Sequence, residues 1–437
     1  MFRRRLKSYL VIPAMLVVYL CIIMKYDTVI FEWIHIKRSY LLAYLHVDRE
    51  LAKTMYHFPR RISKELKNKK IILIWSPELG KMEKNPLLCP GCILTYDQRT
   101  ISDADAVIFP WAETWDSADK MPSRYRSPKQ RWVWYCQEPP WVLRYVFLKT
   151  LTPLNGIFNW TMTYRTDSDI PGTFFVPYKY HGESVAEIIA KKNKDVLGAW
   201  VVSNCATTSR KEFIASLSRH IKIDVFGKCV GKTLCKDKEC QRRTLSRYKF
   251  YFALENSQCK DYITEKFWTN ALGSLAVPVV MGPSRQEYEL VAPPGSFIHV
   301  DDFDSAETLA NFLKNLDKDD KSYGEYLRWA MVAEKEGAKA KVYGPVMNKK
   351  LNGASSICAL CEKLKHEPPN KTEVVKNLDK WWFGDDYDPN VDNFSVCQSK
   401  IPSGRPTRLQ TVLIYTFVLW FTLGVLWFCY HRRTRKQ

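Results

Sequence analysis

The 437-residue chain carries a formal net charge of +20 and is 46% hydrophobic, with 15 Trp, 23 Tyr and 21 Phe. That composition excludes a disordered chain, and the length allows two domains with large packed cores plus anchors. No zinc-finger spacing, RNA-recognition signature or basic helix accompanies the charge, which sets aside a nucleic-acid partner.

In chain order, residues 1–8 hold Arg3, Arg4, Arg5 and Lys7, and an apolar run from Tyr9 to Met24 follows. The run is near the short end of what crosses a bilayer. No small-residue cleavage site follows it, so it reads as an uncleaved signal anchor with a cytosolic N-terminus. A second apolar run, Thr411–Tyr430, ends on the basic stretch 431–437, which the positive-inside rule also places in the cytosol. The middle of the chain is then lumenal, an orientation expected of a Golgi membrane protein. Three sequons agree with it: Asn159-Trp-Thr, Asn370-Lys-Thr and Asn393-Phe-Ser. Eleven of the 13 Cys lie between the two runs, a density suited to an oxidising compartment. The odd number leaves a thiol free or bonded to a second chain, as in a homodimer.

Residues 25–68 are basic and without strand pattern, a stem. Short apolar runs then alternate with helical stretches: Ile71–Trp75, Ala106–Pro110, Trp132–Tyr135, Leu197–Val202, Ile223–Phe226, Phe250–Leu254, Ala276–Met281 and Phe297–Val300. Helical periodicity marks Thr207–His220, Tyr262–Gly273 and Ser305–Leu316. This alternation predicts parallel sheets in two doubly wound α/β units, 69–192 and 193–345, with a ligand cleft at the carboxyl ends of their strands. Residues 346–408 read as a tail containing Cys, Pro and Trp.

The segment 248–268 carries the most chemistry. A buried strand ends at Leu254, the chain turns through Glu255-Asn256-Ser257, and a helix is predicted from about Asp261 with Thr264, Glu265 and Lys266 in its first turns. A lysine at a helix N-terminus is disfavoured unless an anion shares the site, so Lys266 with free helix amides would suit a diphosphate. Glu265 could accept hydrogen bonds from a ribose diol. Taken alone, Glu265-Lys266 is equally an ordinary pair on a solvated helix.

The longer pattern is more specific. Glu255-Asn256-Ser with Asp261-Tyr262-Ile-Thr-Glu265-Lys266, continuing through Val277–Ser284 and Ser296–Phe303, resembles the donor-binding motif of the α1,3-fucosyltransferases. Val201-Val-Ser-Asn204 and Asn159–Ile170 are also similar to segments of that family. The resemblance implies a GT-B type fold with two Rossmann-like domains facing a cleft, and inverting transfer of L-fucose from GDP-L-fucose to a GlcNAc hydroxyl of a glycoprotein N-glycan. It places Glu255, Asn256, Tyr262, Glu265 and Lys266 at donor-binding positions and Arg210 on the diphosphate. No metal site is implied: two cations would neutralise the leaving GDP, with Mn2+ at most stimulatory. Asp103/Asp105 and Asp167/Asp169 have metal-motif spacing but lie in the first unit, where they more naturally cap local structure.

An inverting transfer needs a base for the acceptor hydroxyl. Glu138 follows a buried strand in the first unit and takes that role, although Pro139 stands where the family has serine. His299, among alternating apolar neighbours, reads as a structural histidine. Cys89, Cys92, Cys358 and Cys361 have zinc or disulfide spacing, and the resemblance implies pairing of 89/92 with 358/361. Candidate acceptors are an antenna GlcNAc (Lewis-type or LacdiNAc) or the innermost core GlcNAc. A catalytically silent glycan-binding membrane protein is the alternative of another class.

Overall fold

The structure, a computed structural model, describes residues 69–75, 89–113, 121–146, 150–172, 174–175, 182–205, 208–235, 237–336, 343–345, 356–368, 373–388 and 395–397. Both apolar terminal runs and the sequons at Asn370 and Asn393 lie outside these residues. Among the described residues, no helix is long and apolar enough to cross a membrane.

The buried runs form two all-parallel sheets. The first contains β1 (Lys70–Ile74), β2 (Cys92–Thr95), β3 (Ala106–Pro110), β4 (Arg131–Cys136), β5 (Trp160–Thr163) and β6 (Ile170–Pro171), in the order β2-β1-β3-β4-β5-β6. The second contains β7 (Gly198–Val201), β8 (Ile223–Phe226), β9 (Phe250–Leu254), β10 (Val277–Met281) and β11 (Ile298–His299), in the order β11-β10-β9-β7-β8. The first five strands of each sheet follow the same doubly wound order. The strand order therefore reverses between β1 and β3 in one sheet and between β7 and β9 in the other, the switch points where such folds bind ligands. Where β7 packs beside β9 the space is tight: a Cβ on Gly198 would come within 2.6 Å of the Phe252 ring.

In the first sheet, side-chain alternation separates two cores. Leu73, Val107, Phe109, Trp132 and Trp134 face one side, with Leu378, Trp382 and Phe383 packed on them. Ile72, Ile74, Ala106, Ile108 and Val133 face the other, covered by Leu360, Cys361 and Leu364 from the helix Ser356–His366. The stretch expected as a separate tail from residue 346 thus contributes packing to both faces of the first sheet. Periodicity missed this because the covering residues gain meaning only through the sheet they bury.

Disulfides join Cys89 to Cys358 and Cys92 to Cys361, fixing the covering helix. Three more link Cys205–Cys229, Cys235–Cys240 and Cys259–Cys397. The leftover thiol is Cys136, free and fully buried on β4, so it is not bonded to a second chain. Alkylation under native, non-reducing conditions is expected to spare Cys136, and alkylation after denaturation without reductant to label it while leaving these ten cysteines unlabelled. Peptide mapping checks this, and labelling of Cys358 or Cys361 would refute their pairing.

The sequon at Asn159 requires correction. Its side chain is 7% exposed, its carbonyl oxygen accepts from Arg126 and the Trp132 amide, and its amide nitrogen donates to the Glu373 carbonyl at 3.0 Å. The nitrogen that would carry a glycan is used inside the fold. Mass spectrometry of the tryptic peptide should find Asn159 unmodified.

Candidate active site

Beyond Leu254 the chain leaves β9 with Glu255, which is 3% exposed. One carboxylate oxygen accepts from the Thr264 amide at 2.8 Å and hydroxyl at 2.9 Å; the other accepts from Lys266 Nζ at 3.0 Å. Lys266 also donates to Thr264 Oγ1 at 2.8 Å and to Glu265 at 3.2 Å. Burial works against the Lys266 ammonium, but the Glu255 and Glu265 carboxylates outweigh it and hold its pKa above the ordinary value. Burial pushes the Glu255 carboxyl up, with Lys266 pulling the other way. Room for Glu255 depends on Gly282, where a Cβ would lie 3.0 Å from Glu255 Cγ.

The helix after this turn begins later than its periodicity predicts. A six-residue π-helix spans Lys266–Ala271, and Asp261 sits at φ 60°, outside any helix. The amides of Phe267 and Trp268 bond back to the Thr264 carbonyl. These two amides beside Lys266 are therefore already satisfied, and the cationic character here comes from side chains. The turn is fixed by distant partners: the Asp261 amide donates to Glu287, while its carboxylate accepts from the amide and hydroxyl of Thr166 in the first half. Trp141 donates to Ser257 across the same boundary. These contacts link residues 26 to 116 positions apart, beyond the reach of a local motif.

Arg210, in the first turn of the helix Thr208–Leu217, is 1% exposed and occupies the second switch point. Its guanidinium donates to the carbonyls of Leu254, at the end of β9, and Asn204, just after β7. Burial lowers its pKa, and the Glu255 carboxylate field opposes that most strongly. Arg210 Nε and Asn256 Oδ1 are buried without a hydrogen-bond partner. Two cations thus surround the Glu255 carboxylate, with unsatisfied donor and acceptor atoms beside it.

Glu138 enters from the first sheet, two residues past β4. Burial raises its pKa; Lys266 acts to lower it and Glu265 to raise it further. Tyr262, 4% exposed, is also pushed up by burial and by the charges of Glu138 and Glu255. The two halves therefore bring Glu138 and the segment Glu255–Lys266 within one another's electrostatic reach, in the low dielectric that strengthens such fields.

The other sequence candidates have structural roles. Asp105 accepts from Lys70 and the Ile71 amide, and Asp169 from the Thr161 amide and hydroxyl. Asp167 pairs with Arg165 and Lys260. His299 Nδ1 accepts from the Asp301 amide, so Nε2 carries the proton and donates to the Pro283 carbonyl at 3.0 Å. Sequence reading assigned no role to Thr264, Thr166 or Glu287, whose importance lies in what they hold rather than in any chemistry of their own.

Two family models match the chain: "Glycosyltransferase family 10 (fucosyltransferase) C-term" over residues 190–381 and "Fucosyltransferase, N-terminal" over 67–178. A 4-galactosyl-N-acetylglucosaminide 3-alpha-L-fucosyltransferase of Pan troglodytes is 38% identical over 349 residues, covering 76% of this chain and 90% of the relative. The chain belongs to glycosyltransferase family 10. This fucosyltransferase is also 39% identical to a 3-galactosyl-N-acetylglucosaminide 4-alpha-L-fucosyltransferase of Pongo pygmaeus, over 68% of its length and 74% of the relative's. Alpha-(1,3)-fucosyltransferase 7 of Bos taurus is 37% identical, over 67% and 78% respectively. A solved α1,3-fucosyltransferase aligns at 18% identity with a TM-score of 0.48, covering 72% of this chain and 95% of its own.

Proposed function

We propose that this family 10 enzyme transfers L-fucose from GDP-β-L-fucose to O3 of an antenna GlcNAc on a glycoprotein N-glycan, with inversion at the sugar. The observation that carries the reading is the contact between the halves beside Glu138, where Trp141 donates to Ser257 and Thr166 to Asp261, in the segment that holds the Glu255–Lys266 pair. In this mechanism the Glu138 carboxylate takes the proton of the acceptor hydroxyl. The freed oxygen forms its bond to fucose C1 from the face opposite the nucleotide, and the C1–O bond to the diphosphate breaks. Lys266 and Arg210 balance the charge that develops on departing GDP. Asn256, with its unpartnered carbonyl oxygen, Tyr262 and exposed Glu265 line the donor region.

The antenna acceptor is supported by relatives whose names specify galactosyl-N-acetylglucosaminides. A Golgi membrane location with the catalytic part lumenal is supported by the five disulfides among the described residues. The test is transfer by the full-length chain, purified in detergent, from GDP-fucose to a panel of antenna and core N-glycan acceptors, with the product linkage determined. An α1,3-fucosylated antenna GlcNAc is expected; a product fucosylated on the innermost GlcNAc would overturn the acceptor assignment, and GDP-fucose binding without transfer would favour the silent glycan-binding alternative.

A further inference from the structure

The family model's match ends at residue 381, yet buried structure continues past it. Trp382 is fully buried, its ring edge-on to Trp134 of β4 at 4.9 Å and to Tyr164 at 5.6 Å. Tyr164 is in turn edge-on to Tyr262 at 4.9 Å. An unbroken aromatic series therefore runs from β4, the strand that precedes Glu138, through Trp382, to a residue of the donor segment.

A second connection reaches the same segment independently. Cys397 is bonded to Cys259, and the Lys260 amide donates to the Val396 carbonyl at 2.7 Å. Further back, Trp381 lies under the Arg165 guanidinium, 4.4 Å from ring centroid to Cζ, and its carbonyl accepts from that arginine. Arg165 holds Asp167, which also binds Lys260 at 3.0 Å. At the start of the stretch, Val375 exchanges backbone hydrogen bonds with Gly156 and Phe158, and Asp379 accepts from Thr152 at 2.9 Å. One end of this region is thus anchored to the first half and the other is covalently attached to the donor turn.

We propose that the stretches 373–388 and 395–397 form a brace that positions the donor segment, holding Tyr262 and the turn Cys259–Asp261 in register with the strand that carries Glu138. Without it, the turn would have to be ordered when the nucleotide binds, at the expense of affinity. Trp382 and Cys397 are positioning residues, acting on the donor through Tyr262 and Cys259. The inference rests on the proposed GDP-fucose site, and its test keeps the two separable.

The experiment compares the full-length enzyme with Trp382→Leu, Trp382→Phe, Trp381→Ala and the double variant Cys259→Ala/Cys397→Ala. GDP affinity is read by calorimetry, donor and acceptor KM and kcat by transfer, and folded fraction by circular dichroism. Trp382→Leu and the cysteine double variant should each weaken GDP binding and raise donor KM by about tenfold, the cost of ordering one or a few side chains. Acceptor KM should stay within about twofold, below what ordering one side chain costs. Trp382→Phe should restore most of the affinity, and Trp381→Ala, which disturbs only the partly exposed end, should shift donor KM in the same direction but less. Lowered melting temperature with wild-type GDP affinity in the folded variants, Trp381→Ala included, would overturn the brace. Failure of the wild type itself to bind GDP-fucose would instead overturn the donor site.

Discussion

Replacing Glu138 by glutamine is expected to reduce kcat by about 10²–10⁴-fold, the usual contribution of a positioned general base. The substitution keeps size and shape, so donor affinity and fold should remain near wild type. The pH dependence supplies an independent signature. The base works only when deprotonated, and burial raises the pKa of Glu138 above that of an ordinary glutamate. Wild-type kcat/KM should therefore fall on acidification, starting at higher pH than a solvent-exposed glutamate would give, and this acid limb should disappear from the residual activity of Glu138→Gln. Lys266 acts to lower that pKa, so in Lys266→Ala the limb should move to still higher pH. Initial rates across a buffered pH series measure both effects.

Lys266→Ala is expected to reduce kcat/KM by about 10²–10³-fold, as loss of one charge-stabilising donor does elsewhere. It should also destabilise the fold. Glu255 has a fully buried side chain, and Lys266, 15% exposed, is its cationic partner at 3.0 Å. Removing one member of a buried pair leaves an uncompensated charge and typically costs about 3–5 kcal/mol. Protonation of Glu255 relieves part of that cost, so the destabilisation should be smaller at mildly acidic pH. Adding Glu255→Gln to Lys266→Ala should recover stability without recovering transfer. Thermal unfolding of the single and double variants separates the roles, since neighbouring sites of this kind are not additive.

Much of the second half was legible because its strands are rich in apolar residues: Phe250–Leu254 is a continuous apolar run, Ile223–Phe226 is apolar except for Asp224, and both are strands over the residues their composition marks. Three strands escaped notice: Cys92–Thr95 is apolar but only four residues long, and the other two lack this texture. Trp160–Thr163 alternates threonine with larger side chains, and Ile170–Pro171 has two residues, one a proline. The turn at Asp261 was misread as helix because its conformation is set by Thr166 and Glu287, neither of them near in sequence. Glu138 could be found from its position just past a buried strand, whereas the neighbours that tune it come from the other half. The C-terminal packing was the least legible part. The consecutive Trp381, Trp382 and Phe383 have no evident packing partner until the first sheet is in place to receive them.

The most direct test of the account measures GDP-fucose binding and transfer side by side in the full-length wild type, Glu138→Gln and Lys266→Ala. Near-wild-type donor binding with transfer reduced about 10²–10⁴-fold in Glu138→Gln, and weakened binding together with reduced transfer in Lys266→Ala, is the expected division between a base in one half and a leaving-group site in the other. Wild-type transfer by Glu138→Gln, or undiminished donor binding by Lys266→Ala, would contradict it.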